Sequence, residues 1–150
     1  EGVKNKKTEL VSNGVLKTWI LNTATAKKLN LKSTGHASRS IGAPPGTGTN
    51  NLFMANGIIS YKDILDSTKK GFYATELIGM GVNLVTGDFS VGASGYWIEN
   101  GEKVFPVSEV TIASNLTEMF LNLSAANDLE FKYGINAPTL CIEGMTLAGK

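Results

Sequence analysis

The chain has 150 residues and a mass of 15.9 kDa, and 42% of its residues are hydrophobic, which is enough for one domain with its own core. Its net charge of +1 provides no long-range field for a polyanion, so nucleic-acid binding is not expected. No apolar run approaches the roughly 20 residues of a membrane-spanning helix, and no signal segment opens the chain. We therefore expect a cytoplasmic protein without membrane contact. The start at Glu1, without a methionine, predicts a piece of a longer protein.

The first segment is predicted to form a β-hairpin followed by a short helix. Strand-like runs at 8–11 and 15–21 flank an Asn-Gly pair at 13–14, and both turn residues tolerate a positive φ. The alanines and lysines of Thr23–Leu29 favour a helix, and the side chain of Asn22 or Thr23 can cap its first amides.

A long polar loop is expected next, because Asn30–Asn51 lacks apolar periodicity and Pro44 and Pro45 oppose regular structure. Loops of this length in a compact domain are functional or disordered. The part from Ser33 to Asn50 is therefore our candidate surface for a partner or a substrate. Its candidate residues are Thr34, Gly35, His36 and Arg39. The alternative is a crossing loop that makes no contact with any partner.

Strand and helix signals return after this loop. A strand is expected at 51–54, and Ser60 with Asp63 three residues later resembles a capping box for a helix. Gly71 is expected to close that helix in a left-handed conformation. Phe72–Ile78 then has the composition of a strand.

The stretch from 79 to 107 is rich in glycine but also in β-branched and aromatic residues. It lacks the lysine of a phosphate-binding loop, and strand-like runs follow its glycines where a dinucleotide site would need a helix. Turns are expected at 83–88 and 99–102. We interpret the stretch as a curled antiparallel sheet in which Gly92 and Gly95 are structural glycines that permit bends or close backbone approach.

The remaining residues predict one more helix and two closing strands. Asn115 with Glu118 can cap a helix, and the strands are expected at Leu129–Tyr133 and Thr139–Leu147. The residues expected on one face of that helix are Leu116, Met119, Phe120 and Leu123. Strands outnumber helices throughout. The predicted fold is therefore α+β, a single domain over 1–150 made mainly of antiparallel β-sheet, or a partly closed barrel, with a few short helices.

Motifs for autonomous catalysis are absent from the sequence. Its single histidine, His36, excludes a helical zinc motif with two histidines, and the acidic residues show no spacing typical of metal ligands. No serine lies in a nucleophile elbow. Cys141 excludes an internal disulfide, being the only cysteine, and its apolar neighbours favour a small buried hydrophobe over a nucleophile.

Three runs of the sequence resemble a known family. They are GFYATELIGMGVNLVTGDFSVGASGYWIENGEKVFPVSEVTIASNL, AANDLEF and PTLCIEGMTLAG. In this order they resemble the C-terminal region of the TldD/PmbA proteins, once described as modulators of DNA gyrase, and the opening EGVKNKKTELVSNGVLKTWILNTATAKKLNLKSTGHASR is similar to the sequence that enters that region. The resemblance covers essentially the whole chain.

The resemblance implies an intracellular metalloprotease built from two related subunits, TldD-like and PmbA-like (TldE-like), that acts on peptides and unfolded segments. The family's zinc ligands, a His-Glu-x-x-x-His helix and a later cysteine, belong to the TldD-like subunit. This chain has no counterpart of the Gly-Thr-Cys-Gly segment between Asp128 and Pro138, and Cys141 lies in the closing strand instead. It therefore resembles the PmbA-like branch, which implies no catalytic residue, metal ligand or cofactor in this chain and zinc in the TldD-like partner.

The sequence leaves three hypotheses about function. The first is a structural and partner- or substrate-binding domain of the PmbA-like subunit, which associates with a TldD-like subunit or with itself as a two-fold dimer. The second is a self-sufficient peptidase that uses His36 or Cys141. The third is a regulatory protein that acts on DNA gyrase.

Overall fold

The structure is a computed structural model that describes residues 1–149. In chain order the elements of the described residues are β1 (Val11–Ser12), β2 (Val15–Leu16), α1 (Thr23–Lys28), β3 (Ala37–Ser38), β4 (Gly46–Thr47), β5 (Leu52–Phe53), α2 (Tyr61–Ser67), β6 (Lys70–Ile78), β7 (Asp88–Glu99), β8 (Glu102–Asn115), α3 (Leu116–Leu121), β9 (Leu123–Ala125), β10 (Ile135–Asn136), β11 (Leu140–Ile142) and β12 (Thr146–Ala148). The chain divides into two compact units, the first made of Glu1–Leu52 with Tyr133–Ile135 and the second of Phe53–Lys132 with the residues after Ile135.

The first unit opens with the predicted hairpin and helix. β1 and β2 pair in antiparallel fashion, and the turn residues Asn13 and Gly14 have φ values of 51° and 74°. α1 begins after Asn22, whose Oδ1 accepts a hydrogen bond of 2.8 Å from Thr25 N, while Thr25 Oγ1 accepts one of 3.0 Å from Asn22 N. Both predictions are confirmed, because turn and cap chemistry act over only a few residues.

The loop after α1 contains more regular structure than the sequence predicts. β3 and β4 form a two-residue antiparallel ladder with Ala37 opposite Thr47 and Ser38 opposite Gly46. Pro45 does not interrupt it, because the ladder starts one residue later and the Pro45 carbonyl accepts a hydrogen bond of 2.9 Å from Asn22 Nδ2.

The second unit is organised by a four-stranded sheet in the order β12-β8-β7-β6. All neighbouring strands are antiparallel, and register shifts mark bulges between Ala74 and Glu76, between Ala93 and Gly95, and at the Trp97/Ile98 step. The predicted α+β fold with antiparallel sheet is confirmed. Among the described residues the sheet stays open, so the barrel alternative is not the one observed.

The helices of the second unit are capped as predicted but end earlier than expected. Ser60 Oγ accepts a hydrogen bond of 3.1 Å from Asp63 N at the start of α2. α2 ends at Ser67, and its C-cap residue Thr68 has an extended backbone shortly before β6 begins at Lys70, so the predicted closure by Gly71 is wrong. α3 ends at Leu121 with Asn122 as its C-cap, which places Leu123 in β9 and not on the predicted helix face.

The predicted strand at Leu129–Tyr133 is also wrong. The backbone donors of this segment bind side chains and do not form a ladder: Leu129 N donates to Asn56 Oδ1 at 2.8 Å, and Lys132 N to Asn136 Oδ1 at 2.9 Å. The predicted closing segment becomes two strands, with β11 pairing with β9 and β12 with β8.

The buried apolar core of the described chain is small. In the first unit it consists of Leu21 and Ala26, and in the second of Val91, Ala93, Ile98, Val110 and Ala126. No helix among residues 1–149 is long and apolar enough to cross a membrane.

Candidate functional site

The first residues of the predicted loop surface bind the backbone just before α1 and so hold the loop in place. Thr34 Oγ1 accepts a hydrogen bond of 2.8 Å from Leu21 N, and Thr34 N donates to Leu21 O at 3.2 Å. His36 Nδ1 lies 2.9 Å from Thr34 Oγ1. Leu21 is only 3% exposed, so this contact ties the loop to the core of the first unit. Thr34 and His36 therefore have a structural role that the sequence did not reveal.

Gly35 is required at its position by the backbone. Its φ is 76°, and a Cβ atom there would lie 3.0 Å from Lys4 O. Any other residue would combine a left-handed conformation with a tight contact.

Arg39 lies apart from this anchor, beyond β3 at the tip of the β3–β4 hairpin. Together with Ser40, Ile41 and Gly42 it lines an open surface concavity of about 390 Å³. Ile41 is fully exposed. The structure thus brings Thr34, Gly35 and His36 together in one turn and leaves Arg39 at the surface.

His36 and Cys141, the two residues considered for a self-sufficient peptidase, are poorly placed for catalysis. The hydroxyl beside His36 belongs to Thr34 and is already bound to the Leu21 backbone. Cys141 is half-buried in β11, opposite Ser124, and burial followed by the charge of Glu143 raises the pKa of its thiol. A raised pKa disfavours the nucleophilic thiolate.

The donor set of the chain does not fit a zinc ion. Among residues 1–149 no group of three or more His, Cys, Asp or Glu side chains is arranged to hold a metal. Structural and catalytic zinc sites need at least three such protein ligands.

The two predicted structural glycines differ in their surroundings. A Cβ atom on Gly95 would lie 1.9 Å from Tyr73 O, which no side chain allows, because β6 approaches β7 closely at this bulge. A Cβ atom on Gly92 would meet Ile78 Cβ at 3.4 Å, an ordinary contact. Neither glycine has a positive φ, so close approach, and not a special backbone conformation, distinguishes Gly95.

An ordered turn between β6 and β7 presents the most exposed apolar side chains of the second unit's sheet. We call Met80, Leu84 and Val85 the apolar turn. They are 103%, 87% and 94% exposed. Large apolar side chains grouped at a surface mark sites of protein contact. The turn at 83–88 was predicted from the sequence, but its apolar residues were not recognised as a candidate site, although Leu84 and Val85 within that turn were a signal for it.

Backbone hydrogen bonds hold the apolar turn in a defined conformation. Asn83 N donates to Asp88 O at 2.8 Å, Gly87 N to Asn83 O at 2.8 Å, and Val85 N to Asn83 Oδ1 at 2.9 Å. The turn is also tied to the start of α3, where Leu116 N donates to Gly87 O at 2.7 Å. The apolar side chains are therefore displayed by a braced turn.

Comparison with known proteins identifies the family. Residues 1–149 match the family described as the PmbA/TldA metallopeptidase C-terminal domain. The chain is 39% identical over 151 residues to the metalloprotease PmbA of Escherichia coli O157:H7, with 100% of this chain and 32% of the relative covered. It is 28% identical over 166 residues to a metalloprotease TldD homologue of Buchnera aphidicola subsp. Acyrthosiphon pisum, with 99% of this chain and 34% of the relative covered.

A solved structure agrees with this assignment. The crystal structure of TldE from Thermococcus kodakarensis superposes with a TM-score of 0.86 at 27% identity, covering 99% of this chain and 35% of that chain. The chain spans about a third of the length of the curated relatives that it matches. It belongs to the PmbA/TldD metallopeptidase family, as the family's C-terminal domain.

Proposed function

We propose that this chain is the C-terminal domain of a PmbA-like subunit in a cytoplasmic TldD/PmbA metalloprotease that acts on peptides and unfolded segments. In this complex the domain binds the TldD-like subunit and helps to shape the substrate site, and the zinc ion belongs to that partner. The observation that carries the proposal is the apolar turn, an ordered surface of Met80, Leu84 and Val85 with no covering residue among those described.

Two comparisons support the PmbA-like branch. Identity is 39% to a PmbA protein and 28% to a TldD homologue. The alignment to the TldD homologue extends over 166 residues, which is longer than this chain of 150, so the TldD homologue has residues without a counterpart here.

The arrangement of potential metal-binding side chains supports a zinc site in the partner subunit and not in this chain. The described residues offer no group of three metal-binding side chains, and His36 and Cys141 are engaged in a loop anchor and a strand ladder. The self-sufficient peptidase is therefore less well supported. The net charge of +1 gives no support to the hypothesis of a regulatory protein that acts on DNA gyrase. The loop residues Thr34, Gly35, His36 and Arg39 stay a prediction for contact with partner or substrate.

The test uses the full-length protein co-expressed with the TldD-like subunit. We expect the double variant Leu84→Ser with Val85→Ser to weaken binding of that subunit at least tenfold, because two large apolar side chains would no longer be buried on association. Peptidase activity of the mixture should fall in parallel at limiting subunit concentration.

Ile58→Ser is the matched control, since Ile58 is an equally exposed aliphatic residue of the second unit that lies outside the apolar turn and outside the 33–50 loop. It should leave both binding and activity unchanged. Unchanged binding in the Leu84 and Val85 variant, with its melting temperature preserved, would refute the assignment of this surface.

A further inference from the structure

The net charge of +1 conceals an uneven distribution of charge between the two compact units. The first unit, Glu1–Leu52 with Tyr133–Ile135, contains eight basic residues and only two acidic ones, Glu1 and Glu9, so its net charge is +6. The rest of the chain contains six basic and eleven acidic residues, which give a net charge of −5. Charges of one sign gathered on one unit attract an oppositely charged partner even when the whole chain is nearly neutral.

The basic side chains of the first unit are available to such a partner. Those that are exposed and form no ion pair with any residue of 1–149 are Lys4, Lys6, Lys17, Lys27, Lys28, Lys32 and Arg39. The carboxylate of Glu1 is used elsewhere, because its Oε2 atom accepts hydrogen bonds of 2.9 Å from both Thr23 N and Thr23 Oγ1.

The basic side chains also lie within a short range of one another. Lys27 and Lys28 lie in the last turn of α1. Leu31 N donates to Ala26 O at 2.8 Å, which keeps Lys32 close to that turn. A compact unit of about 55 residues has a radius of gyration of roughly 10 Å, and the screening length at physiological ionic strength is about 8 Å. The fields of these cations therefore add.

Exposed apolar side chains among the cations indicate the class of partner. Leu29 and Leu31, which are 55% and 51% exposed, directly follow the basic end of α1. Trp19, two positions after Lys17, is 56% exposed. A folded soluble partner buries most of its large apolar side chains, whereas an unfolded segment offers acidic and apolar side chains together. The surface therefore fits an unfolded segment that is rich in both.

A nucleic acid fits the same surface less well. Single strands bind through aromatic side chains on which successive bases stack, and the sequence of the first unit contains only two aromatic residues, Trp19 and Tyr133. Motifs that read a duplex lay a helix in its major groove, whereas α1 has six residues, fewer than two turns.

We propose that the basic first unit is a docking surface for unfolded polypeptide segments rich in acidic and apolar residues. This inference deepens the function proposed above by naming the class of substrate that the complex receives, and it rests on that function for the fate of the bound segment. Electrostatic attraction brings the acidic segment to the unit, and the exposed apolar side chains then bury those of the segment.

The test measures binding of a fluorescently labelled, unstructured peptide of Glu, Leu, Gly and Ser to the full-length protein without its TldD-like subunit, by anisotropy at low salt. The same peptide with Gln in place of Glu should bind at least tenfold more weakly, and added salt should weaken binding of the Glu peptide. Equal affinity for the two peptides, or no binding of the Glu peptide, would overturn the proposal.

Two charge-reversal variants locate the surface. Lys27→Glu with Lys28→Glu should weaken binding of the Glu peptide at least tenfold. Lys4→Glu with Lys6→Glu should weaken it comparably, and these positions lie outside any helix or strand, so this variant does not depend on the stability of α1. The matched control is Lys69→Glu with Lys70→Glu, which makes the same change in total charge in the second unit and should leave the affinity within twofold. A control that weakens binding as much as the first two variants would contradict a site in the first unit.

Two further measurements decide between occupants. A single-stranded oligonucleotide of equal charge should compete more weakly than unlabelled Glu peptide, and stronger competition would replace the proposal with a nucleic-acid site. Sedimentation should show no self-association that the Lys27 and Lys28 variant abolishes, since such a result would make the acidic unit of a second copy the occupant. Binding of the TldD-like subunit is measured in parallel: its loss with peptide binding intact is a failure of the proposed function, and the reverse is a failure of this inference.

Discussion

The Lys103 ammonium lies 3.5 Å from the centre of the Tyr73 ring, and the rings of Tyr61 and Tyr96 surround it at 5.8 Å each. The Tyr61 and Tyr73 rings meet edge to face with centres 6.1 Å apart. Lys103 belongs to β8 and Tyr61 to α2, so this cluster connects the helix to the sheet. Desolvation lowers the pKa of Lys103, but hydrogen bonding to Tyr61 and the interaction with Tyr73 outweigh it, and the net shift is upward.

Replacing Lys103 by methionine should lower the free energy of unfolding by about 1 kcal/mol, because a cation over aromatic rings contributes about this much at a partly exposed site. The change is measured by urea unfolding at pH 7. Lys62→Met is the control, because Lys62 forms only an exposed ion pair with Asp66 on α2 and its loss should not be measurable. Equal effects of both substitutions would contradict the role of the tyrosine cluster.

Gly95→Ala should destabilise the protein by roughly 3 kcal/mol, because the new Cβ atom displaces the β6 backbone at the bulge. Gly92→Ala should change the free energy of unfolding by less than about 1 kcal/mol, since its Cβ atom has ordinary room beside Ile78. The melting temperatures of the two variants report this difference. A Gly95→Ala protein as stable as the Gly92→Ala protein would show that β6 and β7 do not approach as described.

Asp128 predicts a pH dependence of stability. Its Oδ2 accepts a hydrogen bond of 2.7 Å from Thr139 Oγ1 and its Oδ1 one of 2.8 Å from Thr139 N, and these bonds lower the pKa of the carboxyl group below its ordinary value of 3.8. Because the pKa of Asp128 is lower in the folded than in the unfolded state, its contribution to stability is fully present above the pKa of the unfolded state. This contribution is lost as the pH falls through the pKa of the folded state.

Asp128→Ala should therefore be less stable than the unchanged protein at pH 7 by about 1 kcal/mol, and the difference should shrink below roughly pH 4. Chemical unfolding at several pH values measures it. A difference that stays constant down to pH 2 would exclude a charged Asp128 as the source of the effect.

Asn22 joins α1 to β4. It is 2% exposed, caps the helix with Oδ1, and donates from Nδ2 to Pro45 O at 2.9 Å and to Gly46 O at 3.1 Å. Asn22→Ala should cost about 2 kcal/mol, because it removes the cap and leaves buried groups without partners. Asn22→Ser keeps a capping oxygen and should recover about half of that loss. Thermal unfolding of the two variants tests the order, and equal melting temperatures would deny the capping role.

The features predicted from sequence were those set by a few neighbouring residues. The Asn13–Gly14 turn and the caps at Asn22, Ser60 and Asn115 follow from local hydrogen bonding, and all four are present. The strand predicted at Leu129–Tyr133 failed because Asn56, which lies 73 positions earlier, supplies the acceptor for Leu129 N. No local pattern contains that contact.

The candidate site was less predictable than the fold. Polarity drew attention to Thr34 and His36, but their bonding to Leu21 and to each other depends on tertiary contacts. The apolar turn went unnoticed because the exposure of Met80, Leu84 and Val85 is a property of the folded sheet. The functional hypothesis therefore came from the resemblance to a family and not from the local chemistry of these residues.

The most direct test of the central claim is the zinc content of each subunit, measured by mass spectrometry after separating the complex of the full-length protein with its TldD-like partner. We predict one zinc per TldD-like subunit, none in this protein, and peptide hydrolysis only when both are recombined. Stoichiometric zinc in this protein alone, lost in a His36→Ala variant together with peptidase activity, would contradict a metal-free, partner-binding role.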